Sequence, residues 1–95
     1  MTGSARPKVH IDNERVLVTE WQFAPGANTG WHRHAHDYVV VPLADGVLRL
    51  VGPDGAISES PLKMGVPYFR PAGIEHDVIN ANAGDYAFIE IEIKR

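Results

Sequence analysis

The sequence predicts an all-β fold in a single domain, and three observations carry that reading. Seven Pro and nine Gly spread through 95 residues divide the chain into short pieces joined by turns. Near the C-terminus Ile89, Ile91 and Ile93 alternate with Glu90, Glu92 and Lys94, the period-2 pattern of a half-buried strand. Nowhere do ten or more residues carry the apolar spacing of an amphipathic helix. A chain of this length suffices for one core and rarely for two.

Taken in order, residues 1–12 open with the polar MTGSARPK and predict a flexible N-terminal arm bearing an exposed His10, which leaves residues 13–95 as the folded domain. Residues 15–23 (RVLVTEWQF) read as a strand, rich in β-branched and aromatic side chains and ended by Pro25-Gly26. Residues 31–34 are a short extended piece, and residues 38–43 a nearly continuous apolar strand. Asp45-Gly46 signals a tight hairpin into VLRLV at 47–51. Pro53-Asp54-Gly55 turns the chain again toward a strand at 56–60. Met64-Gly65 and Pro71-Ala72-Gly73 bracket VPYFR, residues 75–81 are extended, and a turn at 82–85 leads into the last strand at 86–94. About eight short strands with regular turns suit a sandwich or closed barrel.

Composition removes several functions. A net charge of −3 and a pI near 5.9 argue against a nucleic-acid partner, which is usually met by a basic surface. No run approaches the ~18 apolar residues of a membrane span, so no membrane partner is expected, and the N-terminus lacks the apolar core of a signal peptide. The absence of cysteine removes disulfides and thiolate chemistry and leaves a cytoplasmic location as the expectation.

The chemistry sits in two stretches. In GWHRHAHDYVVVPLADG, residues 30–46, His32, His34 and His36 occupy alternate positions, which a β-strand turns to one face. The second stretch, GVPYFRPAGIEHDVIN at 65–80, fits G-x5-P-x-G-x2-H-x3-N at every fixed position, with Gly65, Pro71, Gly73, His76 and Asn80. This resembles the second motif of the cupin family. The first cupin motif, G-x5-H-x-H-x3-4-E-x6-G, is matched by Gly26, His32, His34 and Gly46, with the glutamate replaced. With the longer gap that position is Val39; with the shorter it is Tyr38, and Gly46 comes one residue late. A closer resemblance is to small bacterial single-domain cupins, some linked to β-alanine degradation. They share Trp21, Phe23, Pro25, Gly26, Thr29, Gly30, Trp31 and the run from His32 to Pro42.

The resemblance covers roughly residues 13–94 and implies a single-domain jelly-roll β-barrel with a ligand-holding interior. It implies His32, His34 and His76 as ligands of a divalent transition metal, with Fe, Mn, Ni and Zn all compatible with three imidazoles. Three repairs of the lost glutamate stand open. His36 or Asp37 supplies a fourth ligand, Asp37 sharing a strand face with Val39. Glu90 or Glu92 reaches in, which requires Ile89, Ile91 and Ile93 to pack outside, whereas solvent is the commoner fate of such acids. Or nothing fills the place.

Trp31, Tyr38, Tyr68 and Phe69 neighbour the motif positions and are candidates for a substrate pocket. Arg49 and Arg70 are candidates to anchor a carboxylate, and Asn80 to hold a turn or strand end. Some cupin dioxygenases resemble this pattern in using three histidines on ferrous iron. The resemblance therefore implies a metal-dependent enzyme on a small carboxylate, with dioxygenase-like oxidation leading. The alternative is a non-catalytic module that binds a small ligand. The family resemblance and the apolar start of the first strand together imply a homodimer.

Overall fold

The computed structural model describes residues 3–94, so the expectations for residues 1, 2 and 95 fall outside the described residues. Among the described residues nine strands form, in the order β1 (Arg6–Asp12), β2 (Val16–Phe23), β3 (His32–Arg33), β4 (Asp37–Pro42), β5 (Gly46–Val51), β6 (Ile57–Leu62), β7 (Tyr68–Arg70), β8 (Glu75–Asn80) and β9 (Tyr86–Ile93). Among the described residues the one helical element is a 3-10 turn at Pro53–Gly55, and no helix is long and apolar enough to cross a membrane. The strands pair antiparallel in two sheets, β1-β2-β9-β4-β7 and β3-β8-β5-β6, the jelly-roll arrangement.

The expected arm is corrected for residues 6–12. They form β1, paired with β2 from Arg6 opposite Gln22 to Asp12 opposite Leu17. All seven residues of β1 are exposed, and Lys8 and Glu20 stand opposite each other. Polar and charged side chains on a strand at the sheet margin discourage further pairing, and that composition is what suggested an unstructured arm.

Between the sheets lies a core of Phe23, Ala27, Tyr38, Val40, Leu48, Leu62, Val78, Tyr86 and Phe88, with the Phe23 and Phe88 rings 5.5 Å apart. Gly46 lets the chain pass this core closely. A Cβ there would stand 2.6 Å from the Tyr86 ring and 2.8 Å from the Asn82 amide oxygen. Asn80, buried below β2, donates its amide to the carbonyls of Phe23, Ala24 and Gly84 and accepts from Asn82, closing the turn that leads into β9.

β9 decides which residues meet the interior. Its inward positions run Tyr86, Phe88, Glu90, Glu92, so the interior changes from aromatic to acidic along one strand. The isoleucines take the outside. Residues opposite each other in an antiparallel ladder share a face, and the pairings Ile11–Val18, Val18–Ile91, Ile91–Val39 and Val39–Phe69 draw one apolar row across all five strands. Val16, Ile89, Ile93 and Val41 flank it on the same face. Solvent exposure of the two acids, the commoner fate of such residues, is thus not what occurs. Tyr86 and Phe88 stand in phase with Glu90 and Glu92, so burying two aromatics carries the acids inward.

Candidate metal centre

His32 and His76 come together because β3 and β8 pair with these two residues directly opposite. His34 lies just beyond β3 and is fixed by the turn of the second motif. Its amide donates to the Ile74 carbonyl at 2.9 Å, and its carbonyl accepts from the Gly73 amide at 2.8 Å. Gly73 has φ 94°, a conformation most side chains resist, so glycine there lets the turn grip His34 from both sides. The ring of His34 is buried, with Tyr38 stacked on it at 3.9 Å between centroids and 20° between planes.

The three Nε2 atoms converge: His32 to His34 is 3.0 Å and His34 to His76 is 3.1 Å. Two imidazoles sharing one ion at ~2.1 Å stand about 3.0 Å apart when the angle at the ion is near 90°, so the spacing fits a transition metal bound by one face. The donor chemistry agrees. His32 Nδ1 is 2.9 Å from the Gly30 carbonyl, which can only accept, so Nδ1 carries the proton and the Nε2 lone pair faces its neighbours. Burial, with His32 adding to it, pushes His34 down to about 4, and the same two causes bring His76 to about 4. Both imidazoles are therefore neutral at neutral pH, the form that binds metal.

A second layer stands behind His34. Glu90 Oε1 lies 3.3 Å from His34 Nδ1, and Glu90 Oε2 accepts from the Trp21 indole at 2.8 Å. Burial pushes the Glu90 carboxyl up to about 7, opposed by the Trp21 hydrogen bond. Glu90 and Glu92, with His34, also form a second group of possible ligands within 4.8 Å of one another. His34 thus faces its imidazole partners with one nitrogen and Glu90 with the other.

These residues line a cavity of about 230 Å³, below the ~300–1,000 Å³ of drug-sized pockets. Its apolar wall is Trp21, Val40, Leu48, Leu50, Val78 and Phe88; Tyr68 and Arg70 add a half-buried polar edge. The Arg70 guanidinium lies 4.7 Å from the centre of the Tyr68 ring.

Several sequence expectations are corrected. The glutamate position is Tyr38, not Val39, because β4 turns Tyr38, Val40 and Pro42 inward and Val39 outward. Asp37 shares that outward face and accepts from the Ala72 amide at 2.8 Å, bracing the turn instead of joining the histidines. His36 follows a bend after His34 and is not brought to the cluster. Of the pocket candidates, Tyr38 and Tyr68 line the cavity. Phe69, between Tyr68 and Arg70, points outward at 52% exposed, and Trp31, one residue before the inward His32, is 54% exposed. Arg70 lines the cavity, whereas Arg49 pairs with Glu59 outside it. Trp21 carried no chemical role in the sequence reading. Its signal was its place two residues before Phe23 on one strand face.

Comparison with known proteins places this architecture. The beta-alanine degradation protein BauB of Pseudomonas aeruginosa is 60% identical over 90 residues, spanning 95% of this chain and 94% of that protein. A crystal structure of a cupin domain from Bordetella pertussis is 55% identical with a TM-score of 0.96, covering 100% of this chain and 98% of the other. The polyketide cyclase RemF from Streptomyces resistomycificus shares the fold alone, at 22% identity and a TM-score of 0.72 over 99% of this chain and 70% of its own. No protein-family model matches the chain. Identity of that depth to a solved cupin domain, along nearly the whole of both sequences, makes this chain a member of the cupin superfamily.

Proposed function

We propose that this protein is a metal-dependent enzyme acting on a small carboxylate metabolite, with His32, His34 and His76 holding a divalent transition ion. The observation that carries the reading is the convergence of three Nε2 atoms, 3.0 and 3.1 Å apart in sequence order, on a cavity of small-metabolite size. Tyr38 stands where a cupin glutamate would, so the three-imidazole set is neutral and a bound ion keeps its full charge for an anionic substrate. A ferrous ion would supply redox chemistry with dioxygen, and that oxidative class leads; manganese, nickel and zinc suit the same donors.

The chain's own residues bind and orient. Arg70 offers a guanidinium to the substrate carboxylate. Leu48, Leu50 and Val78 keep the wall apolar and exclude water. Glu90 faces the outer nitrogen of His34. The BauB name, a β-alanine degradation protein, supports a small carboxylate as the substrate class.

The test is metal analysis of protein purified without a histidine tag, followed by oxygen uptake with short carboxylic acids. Stoichiometric metal that depends on His32, His34 and His76, with turnover, is expected. Metal that stays sub-stoichiometric after supply of ferrous, manganous, nickel or zinc ions overturns the reading. Metal with ligand-induced stabilisation but no turnover reassigns the protein to a small-ligand-binding module.

A further inference from the structure

Resting on that reading of the cavity, we propose that its substrate class is the short amino acids, the carboxylate taken by Arg70 and the ammonium by Glu92. Tyr38 is paired with Arg70 on one side and with Glu92 on the other. The three side chains form one inward row across β7, β4 and β9, and all three line the cavity. Neighbouring strands lie ~4.8 Å apart, so the two charged residues spring from backbone about 10 Å apart, with Tyr38 between.

The cavity's other charged groups are already committed. Arg33 has Glu75 at 3.8 Å. Glu90 is held by Trp21 at 2.8 Å and faces His34 at 3.3 Å. Arg70 donates to the Phe69 carbonyl and lies over the Tyr68 ring, yet meets no carboxylate. Among the described residues Glu92 makes no side-chain hydrogen bond or ion pair, and neither does it pair with Arg70. One cation and one anion therefore share a half-buried cavity without an ion pair among the described residues, and the charged neighbour beside Glu92 is a like one, the Glu90 carboxyl within 4.8 Å. A charge withdrawn from water without a partner is costly, and a ligand bearing both charges satisfies the two together. A plain carboxylate satisfies only Arg70 and leaves Glu92 facing the ligand's apolar end, which lowers its affinity. The stacking of Arg70 on Tyr68 holds the guanidinium in place before the ligand arrives.

The experiment is calorimetric titration of the zinc-loaded protein with 3-aminopropanoate, propanoate and propylamine, three probes of equal chain length. The amino acid is expected to bind at least about tenfold tighter than either singly charged probe. Glu92→Gln is expected to erase that advantage over propanoate while leaving propanoate affinity unchanged or improved. Arg70→Gln is expected to weaken both carboxylates and leave propylamine unchanged. Circular dichroism and metal content of each variant separate a lost contact from a lost fold, with Glu92→Asp and Arg70→Lys as milder replacements.

Equal affinity for the amino acid and propanoate overturns the proposal, as does a preference that survives Glu92→Gln, or no binding of any probe. Failure of the metal reading shows separately, as zinc that does not bind the wild type. The titrations are then run on the metal-free protein with the same criteria.

Discussion

Glu90 Oε1 lies 3.3 Å from His34 Nδ1, on the side of the imidazole opposite the Nε2 atom that meets His32 and His76. The carboxyl group is thereby placed to orient the ring and to accept its Nδ1 proton when Nε2 binds a metal. Partners of this kind change metal affinity about 10–100-fold when removed. Glu90→Gln is accordingly expected to weaken zinc or ferrous binding by that factor in a chelator competition, while the protein stays folded through the retained Trp21 contact. Unchanged affinity would show that the stack on Tyr38 alone orients His34.

Most of this site was legible in the sequence, and the part that was not has a physical cause. Motif spacing located His32, His34 and His76 because turn glycines and strand alternation fix where such residues fall. The facing of β9 was obscured by its composition. Three isoleucines look like a core stripe, whereas the inward set is Tyr86, Phe88, Glu90 and Glu92. The two aromatics at the strand's start, in phase with the acids, were the signal. A surface apolar row that covers one whole sheet face then took the isoleucines, an outcome that a rule of apolar residues inside does not anticipate. The sequence left the glutamate position open between Val39 and Tyr38 for a related reason. Gap counting in a motif tolerates one residue of slack, and one residue in a strand reverses the face.

Tyr38 is 3% exposed and stacked at 3.9 Å on His34. Tyr38→Phe preserves the stack, so metal affinity and stability are expected to change little. Tyr38→Ala removes a buried ring and leaves a cavity beside His34. The cost should be about 3–5 kcal/mol of folding stability, with weaker metal binding as the imidazole gains freedom. Urea denaturation of the metal-free variants checks the first effect and chelator competition the second.

The pH dependence of the metal-free protein follows from opposing groups. His34 and His76 sit at about 4 against an ordinary 6.5. As pH falls through that window the unfolded chain takes up their protons first, so stability is lost toward pH 4. Glu90, raised to about 7 from an ordinary 4.5, acts in reverse: its contribution is complete below 4.5 and lost as pH rises through 7. Between pH 4.5 and 6.5 two imidazoles oppose one carboxyl, and stability is expected to rise with pH by about one net proton. Glu90→Gln removes the opposing group and should steepen the slope toward two. Urea midpoints across that range measure it, and a slope that Glu90→Gln leaves unchanged would refute the assignment.

The apolar row Ile11, Val18, Ile91, Val39 and Phe69 predicts self-association. Ile11 is 48% exposed and Phe69 52%, so the row ends openly at both margins. Five strands at ~4.8 Å and three apolar rows give roughly 500 Å² of projected apolar face. With the polar rim of Lys8, Glu20, Gln22 and Asp37 it approaches the ~800 Å² that each partner contributes to a standard interface. The outer face of the other sheet carries the Arg49–Glu59 and Arg33–Glu75 ion pairs among Val51, Ile57 and Ile79, so its apolar surface is interrupted by charge. A second copy of the chain fits this face because a regular apolar row on a sheet can pack against its own image through a two-fold axis. Sedimentation at micromolar concentration is expected to show a dimer. Val39→Lys and Ile91→Lys are each expected to yield monomers that keep full metal content, since both side chains lie on the face away from the histidines. A wild-type monomer at those concentrations would refute the dimer, and a dimer that survives both substitutions would move the interface elsewhere.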